Sequence, residues 1–479
     1  MNSNGSLEPA CSLGIAELLE NYRRGTLSPV AVAKDALARA EATNDALNTF
    51  VTIAHDTALA QAAEAQAAYR AGKDPGPLGG VPVSIKDIIP TQGLRTTFGS
   101  ASARENIPAR DALSVQRWKQ SGAVVIGKTA TPEFACRQTT SSSVSGVTRN
   151  PWNPALTPGG SSGGSSASLA AGIGHLSLVT DGGGSSRLPA ACTAVVGFKP
   201  TFGKIPYDTA LDAFGGLAHI GIMGRRAGDV AIGLAAAAGP CPADPYSLLV
   251  ANRLDVRRPR PADLPLQGLR IGLRERHADE PVDEHILASI RGLAKVMEHL
   301  GAVVAPLRGE IEAPLPTWRV LQHAIWAQRY GASPPTAQTD PVIMAGIEHA
   351  RALSASDLQA AMHGRTRLFR QAQAWFDEID VVLSPTLTRD PIAADHPGHG
   401  TIETADGSHA DIRSHWAPLL GLFTMTGHPS VSFNCGWTRS GLPIGAHLAS
   451  RWHSDEALLG IVAAVEQAMP EAAWRMPPV

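Results

Sequence analysis

Charge is scarce in this chain of 479 residues: Asp, Glu, Lys and Arg supply 18% of it, against roughly 25% in ordinary soluble domains. What charge there is nearly cancels, 41 Lys plus Arg against 43 Asp plus Glu, for a net of −2. No overall field draws such a chain to nucleic acid or to an anionic membrane. Cysteine is also sparse. The five, Cys11, Cys136, Cys192, Cys241 and Cys435, are odd in number, widely spaced and without a CxxC pair, which argues against a disulfide framework or a zinc ribbon and for a reducing compartment. No run reaches the roughly 18 apolar residues of a membrane span. The start, MNSNGSLEPACSLG, lacks the basic and apolar regions of a signal peptide. The expectation is a soluble cytoplasmic protein with neither a membrane nor a nucleic-acid partner. Hydrophobic residues reach 44%, which excludes a disordered chain and is ample for a core at this length.

The patterning alternates. Ser28-Pro29 is an N-cap and first-turn pair, followed by Val30, Val32, Ala33, Ala36, Leu37 and Ala40 at helical spacing. His55–Ala71 also reads helical, so the first 73 residues are predicted as helices. Val81–Asp87 is a β-branched run that predicts a strand, as do Ala123–Ile126, Leu176–Thr180, Arg270–Leu273, Val303–Leu307, Val381–Ser384 and Ser430–Cys435. Helical stretches such as Ala112–Gln120, Glu284–Leu300 and Leu358–Phe376 lie between them. This alternation predicts an α/β fold on a mixed, partly parallel sheet. Pro240–Leu269 and Asp390–His415 read as surface loops.

The densest Gly/Ser stretch is Pro158-Gly159-Gly160-Ser161-Ser162-Gly163-Gly164-Ser165-Ser166. A flexible linker is the plain reading, but this run leads into the small-residue helix Ala167–Gly172, the strand Leu176–Thr180, and a second such turn, Asp181-Gly182-Gly183-Gly184-Ser185-Ser186-Arg187. Glycines let backbone approach a ligand closely, and successive N–H groups in a turn form a nest for an anion. The composition fits a phosphate-binding loop or an oxyanion hole beside a nucleophilic serine. No GxSxG elbow is present, which argues against a Ser-His-Asp arrangement. Lys86 ends an apolar strand. Burial there would lower its pKa from ~10.4 toward neutrality and make it a usable general base.

Together these segments resemble the amidase signature family of serine hydrolases. The likeness rests on Gly80-Val81-Pro82-Val83-Ser84-Ile85-Lys86-Asp87, Thr148–Pro154, Pro158–Ser165, Thr180–Pro189 and Gly197–Thr201, with Thr426–Ser430 and Gly441–Gly445 near the end. It spans nearly the whole chain. It implies one amidase domain over 1–479: N-terminal helices in 1–73, a signature core in 74–240, a variable substrate-shaping region in 241–380 and a return to the sheet in 381–467. It implies a central mixed sheet covered by helices on both faces. By the same resemblance Ser185 is the nucleophile, Ser161 the bridging serine after a cis Gly160–Ser161 bond, and Lys86 the base. The N–H groups of Gly182, Gly183, Gly184 and Ser185 hold the oxyanion, while Asp181 and Arg187 frame the turn and Ser162 supports the relay. The reaction implied is amide C–N hydrolysis through a seryl acyl-enzyme, on a small-molecule amide and with no cofactor or metal. A homo-oligomer is left open. Two positions depart from the pattern. Gly182 replaces a bulky apolar residue, which is expected to loosen the turn, and Ser186 replaces an apolar one.

Other signals weigh less. Gly122–Thr129 spells GxxxxGKT, but its middle reads as a strand where a phosphate loop requires a loop. His396 and His399 read as a solvated loop. Trp318, His323, Trp326 and Trp375 read as core. Cys136 and Arg137 are candidate substrate contacts, with Arg137 either clamping a carboxylate or held in a salt bridge. The alternatives to a stand-alone hydrolase are the amidase subunit of a tRNA-dependent amidotransferase and a non-catalytic scaffold. That subunit has an acidic residue near its C-terminal substrate wall, whereas Ser414–Thr426 contains no Asp or Glu. An intact Lys86, Ser161 and Ser185 argues against the scaffold.

Overall fold

β-branched runs closed by glycine or proline make strands, and the strands of this chain meet in one sheet. The computed structural model describes residues 10–250, 264–278, 280–330, 339–472 and 474–478. Eleven strands form the main sheet. In chain order they are β1 (Phe50–Ile53), β2 (Pro82–Lys86), β3 (Val124–Thr129), β4 (Leu176–Asp181), β5 (Val196–Lys199), β6 (His219–Gly224), β7 (Arg270–Leu273), β8 (Val303–Pro306), β9 (Val381–Pro385), β10 (Ser430–Trp437) and β11 (Pro443–Ser450). Across the sheet they run β1-β3-β2-β4-β6-β5-β10-β11-β9-β7-β8. β3, β2 and β4 are parallel, as are β9, β7 and β8. Antiparallel pairs join the two groups.

Helices cover both faces. Leu178 and Ile222 enter one core cluster with Trp118, Leu234 and Val462, while their neighbours Val179 and Met223 enter another with Leu169 and Ala190. Successive side chains point to opposite faces, so a central strand between two helical layers must be apolar at nearly every position. That is why Leu176–Thr180 reads as a continuous run.

Several elements differ from the sequence reading. β1 interrupts the predicted helical opening: Phe50–Ile53 is four residues long, too short for a period to register, and its pairing with β3 makes it a strand. β6 was not foreseen because Gly221, Gly224 and His219 dilute its apolar pattern. The expected loop Asp390–His415 contains the hairpin Thr401–Glu403 with His409–Asp411 and the short helix Ile412–His415. In Pro240–Leu269 a helix covers Pro245–Val250, and residues 251–263 lie outside the described residues. The first Gly/Ser run ends in the fully buried helix Gly163–Ala170. Its composition reflects close backbone approach: a Cβ on Gly164 would stand 2.4 Å from the Ala130 backbone nitrogen.

Gly164→Ala is therefore expected to lower stability by about 1–3 kcal/mol, as overpacking of a tight core does. An unchanged urea midpoint would mean that this helix has slack the geometry does not show.

Candidate active site

The site forms where parallel strands end, which is where open α/β sheets place their ligands. β2 delivers Lys86 at its carboxyl end. The register Val83 to Leu176 and Ile85 to Leu178 brings the carboxyl end of β4, with Thr180 and Asp181, alongside it. Ser161 arrives from the other direction, just before the helix Gly163–Ala170, and the Gly160–Ser161 peptide bond is cis.

Lys86 is fully buried. Its Nζ stands 2.7 Å from Ser161 Oγ and 3.1 Å from Thr180 Oγ1. Desolvation brings its pKa down to about 7, with Asp181 partly opposing the shift. A second buried lysine shows how partners decide the role. Lys128 is also brought to about 7 by burial, but Ile89 O and the hydroxyls of Thr91 and Thr96 surround its amine. It belongs to the GxxxxGKT run, which is strand β3 here.

Asp181 organises the second turn. It accepts from Gly184 N at 2.7 Å, Ser186 N at 3.1 Å, Ser186 Oγ at 2.7 Å, and Arg187 Nε and Nη2 at 2.9 and 2.8 Å. Burial opposes its charge, yet Arg187 beside it holds the carboxyl well below the usual carboxylate range. One expectation is corrected here. The Gly184 N–H is committed to Asp181, so it does not face an oxyanion. Among the described residues, the backbone N–H groups of Gly182, Gly183 and Ser185 have no acceptor. Ser186, foreseen only as turn chemistry, lends its hydroxyl to the Asp181 frame. Ser162 is buried beside the relay, with its hydroxyl 3.5 Å from Thr180 O.

Gly182 does not leave the turn loose, because Trp318 Nε1 donates to its carbonyl at 2.7 Å. The missing side chain becomes open space: a Cβ there would meet nothing nearer than Ala218 Cβ at 3.9 Å. Ser185, half-buried, faces a cavity of about 930 Å³ shared with Gly182, Gly183, Gly184, Cys136 and Arg137. The salt-bridge alternative for Arg137 is the one present: its Nε lies 2.6 Å from Asp340 Oδ2. Cys136 is buried, and its carbonyl accepts from Arg413. Trp318 and Trp326, read as core, line the cavity. The sequence reading assigned no role to Thr180, Gln138 or Arg413. Thr180 sits beside Asp181 in the quoted motif; the other two carry no local signal. His396 lies in a turn, its Nδ1 accepting from Gly398 N.

The Amidase family profile matches residues 31–459. The chain is 33% identical to a subunit of the glutamyl-tRNA(Gln) amidotransferase of Synechococcus sp. (strain RCC307), over 93% of this chain and 95% of that one. It resembles a bacterial aryl acylamidase of the amidase signature family, with 26% identity, 96% of each chain covered and a TM-score of 0.85. It also resembles 6-aminohexanoate cyclic dimer hydrolase, with 25% identity, 99% of each chain covered and a TM-score of 0.85. Fold, cavity and relatives define an enzyme that hydrolyses amide C–N bonds. The chain belongs to the amidase family. The tRNA in the first relative's name leaves the expected absence of a nucleic-acid partner without support. Among the described residues, no helix is long and apolar enough to cross a membrane.

Two outcomes are expected. Asp181→Asn strands the buried Arg187 charge and should cost about 3–5 kcal/mol, as broken buried pairs do; a loss within the range of exposed pairs, below ~1 kcal/mol, would show the frame to be dispensable. Activity should rise with pH through about 7, because Lys86 is protonated below that value and a free amine above it. A profile flat from about pH 6 to about pH 9 would assign the base elsewhere.

Proposed function

We propose that this chain is a stand-alone amide hydrolase that works through a Ser185 acyl-enzyme. The observation that carries the reading is the fully buried Lys86 amine, 2.7 Å from Ser161 Oγ, next to a glycine turn that opens Ser185 to a large cavity. The neutral amine takes the Ser161 proton as Ser161 takes that of Ser185. Ser185 Oγ then bonds to the amide carbon, and the N–H groups of Gly182, Gly183 and Ser185 stabilise the oxyanion. When the C–N bond breaks, the relay runs backward and delivers the proton to the leaving amine, whose basicity makes unassisted departure slow. Water, activated by the same relay, adds to the ester and releases the carboxylate. We place substrate selection in region 241–380, which supplies Trp318 and Trp326 to the cavity wall.

A second reading, the amidase subunit of an amidotransferase, draws on the 33% identity to one such protein. Glutamine would bring an ammonium into the cavity. The acidic side chain lining it among the described residues is Asp212, whose Oδ1 accepts from Phe214 N and Gly215 N at 3.0 and 2.8 Å. The stretch Ser414–Thr426 contains no Asp or Glu, and this favours the stand-alone hydrolase.

Intact-protein mass after fluorophosphonate treatment tests the nucleophile. One adduct is expected on the parent and none on Ser185→Ala. Equal labelling of both would move the nucleophile to another serine, and no adduct on either would set the acyl-enzyme aside.

A further inference from the structure

We propose that the cavity contains an anion-recognition subsite built on Arg413 and Gln138, and that the amide this enzyme cleaves carries a carboxylate. The inference rests on the hydrolase reading and adds a substrate class to it. Arg137, the candidate clamp from sequence, is spent on Asp340. Arg413 is not spent. Its guanidinium lies over the Trp318 ring, 4.9 Å from the centroid, and donates to the Cys136 carbonyl. No carboxylate among the described residues pairs with it. The acids nearest in chain and space are engaged: Asp411 with Arg319 at 3.1 Å, and Asp340 with Arg137 at 2.6 Å.

Gln138 supplies an independent sign. It is 8% exposed, lines the same cavity, and its Oε1 is buried without a hydrogen-bond partner among the described residues. Leaving a buried amide group unpaired costs about 1–3 kcal/mol. A carboxylate does not relieve the oxygen as it stands, but the amide turned by 180° puts its N–H donors at that position, where they meet an anion.

Position narrows the ligand. Arg413, Gln138, Trp318 and Gly183 border a recess of about 30 Å³. An arginine fork there matches the two oxygens of a carboxylate. Gly183 lines both this recess and the main cavity that Ser185 faces, so one ligand can reach both. The surrounding charge agrees. Arg329, Arg365 and Arg413 face the cavity with Asp212 as the acid among its described lining residues, while Arg137 is neutralised by its pair. The remaining walls, including Phe134, Tyr330, Phe369 and Trp452, suit a bulky apolar body.

Titration calorimetry with 4-phenylbutyrate and its uncharged counterpart 4-phenylbutan-1-ol, neither of which contains a bond the enzyme hydrolyses, tests the subsite without requiring turnover. The carboxylate is expected to bind the wild-type protein at least tenfold tighter than the alcohol, and the two compounds are compared on every variant. Arg413→Met should abolish that preference, Arg413→Lys should keep part of it, and Gln138→Leu should reduce it about threefold. Should Arg413→Met fail to fold, the lysine and leucine variants carry the test. Equal binding of the two compounds to wild type, or a preference that survives both Arg413→Met and Gln138→Leu, overturns the subsite. Fluorophosphonate labelling of the same preparation separates the two readings. Labelled Ser185 without a carboxylate preference removes the subsite alone. A carboxylate preference with Ser185 unlabelled supports the subsite and removes the serine mechanism.

Discussion

The buried pair of Asp181 and Arg187 is the interaction on which the rest of the site depends. Neither side chain has measurable exposure. A charge in that position is tolerated only when its partner and its remaining hydrogen bonds are in place, and here nearly every bond is also a structural tie. Asp181 gathers the turn that carries Ser185. Arg187 reaches out of it to Leu420 O and Thr424 Oγ1 at 3.0 and 2.7 Å, and to Ser430 Oγ at 3.1 Å. The Ser185 turn is thereby fixed to the last third of the chain, including strand β10. In the proposed mechanism this pair is the distant support for the N–H groups that meet the oxyanion.

Lys86, the proposed base, depends on a different constraint. Burial makes the Lys86 amine neutral near pH 7, and Lys128 shows that burial is not sufficient. Both lysines sit on neighbouring central strands and feel the same desolvation. Lys128 spends its amine on a carbonyl and two threonines that lead nowhere. Lys86 has the Ser161 hydroxyl 2.7 Å from its amine, and Gly160, joined to Ser161 by the cis bond, lines the cavity. Chemistry follows from what the neutral amine touches.

The cavity is built from parts distant in the chain. Cys136, Arg137 and Gln138 come from the stretch after β3, Trp318 and Trp326 from the helix Pro314–Tyr330, and Arg413 from the short helix Ile412–His415. Trp318 links them: its indole N–H holds the Gly182 carbonyl and its ring face carries Arg413. In the proposed mechanism substrate selection and transition-state stabilisation share this one side chain, so substitutions there should not separate binding from rate.

Much of the fold was legible because it is periodic or compositional. Strands β2, β4, β7 and β9 are apolar runs with clear ends, and the two Gly/Ser turns announce backbone brought close to something. Lys86, Ser161 and Ser185 stand out in the sequence because their neighbours carry the motif. Tertiary structure decided what has no local signature. β1 is four residues that become a strand through the edge they pair with. The Gly184 N–H turns to Asp181, and Ser186 joins that frame, because a carboxylate at the end of β4 reaches both. Arg137 and Arg413 look alike in sequence, each an arginine in an irregular stretch; the difference is that Asp340 folds back onto one, while the other faces the cavity with no carboxylate among the described residues in an ion pair with it. Sequence determines which groups can ionise and where the backbone can bend, since those are properties of residues and their neighbours. Which charges are neutralised, and which remain for a substrate, is set by contacts between segments hundreds of residues apart.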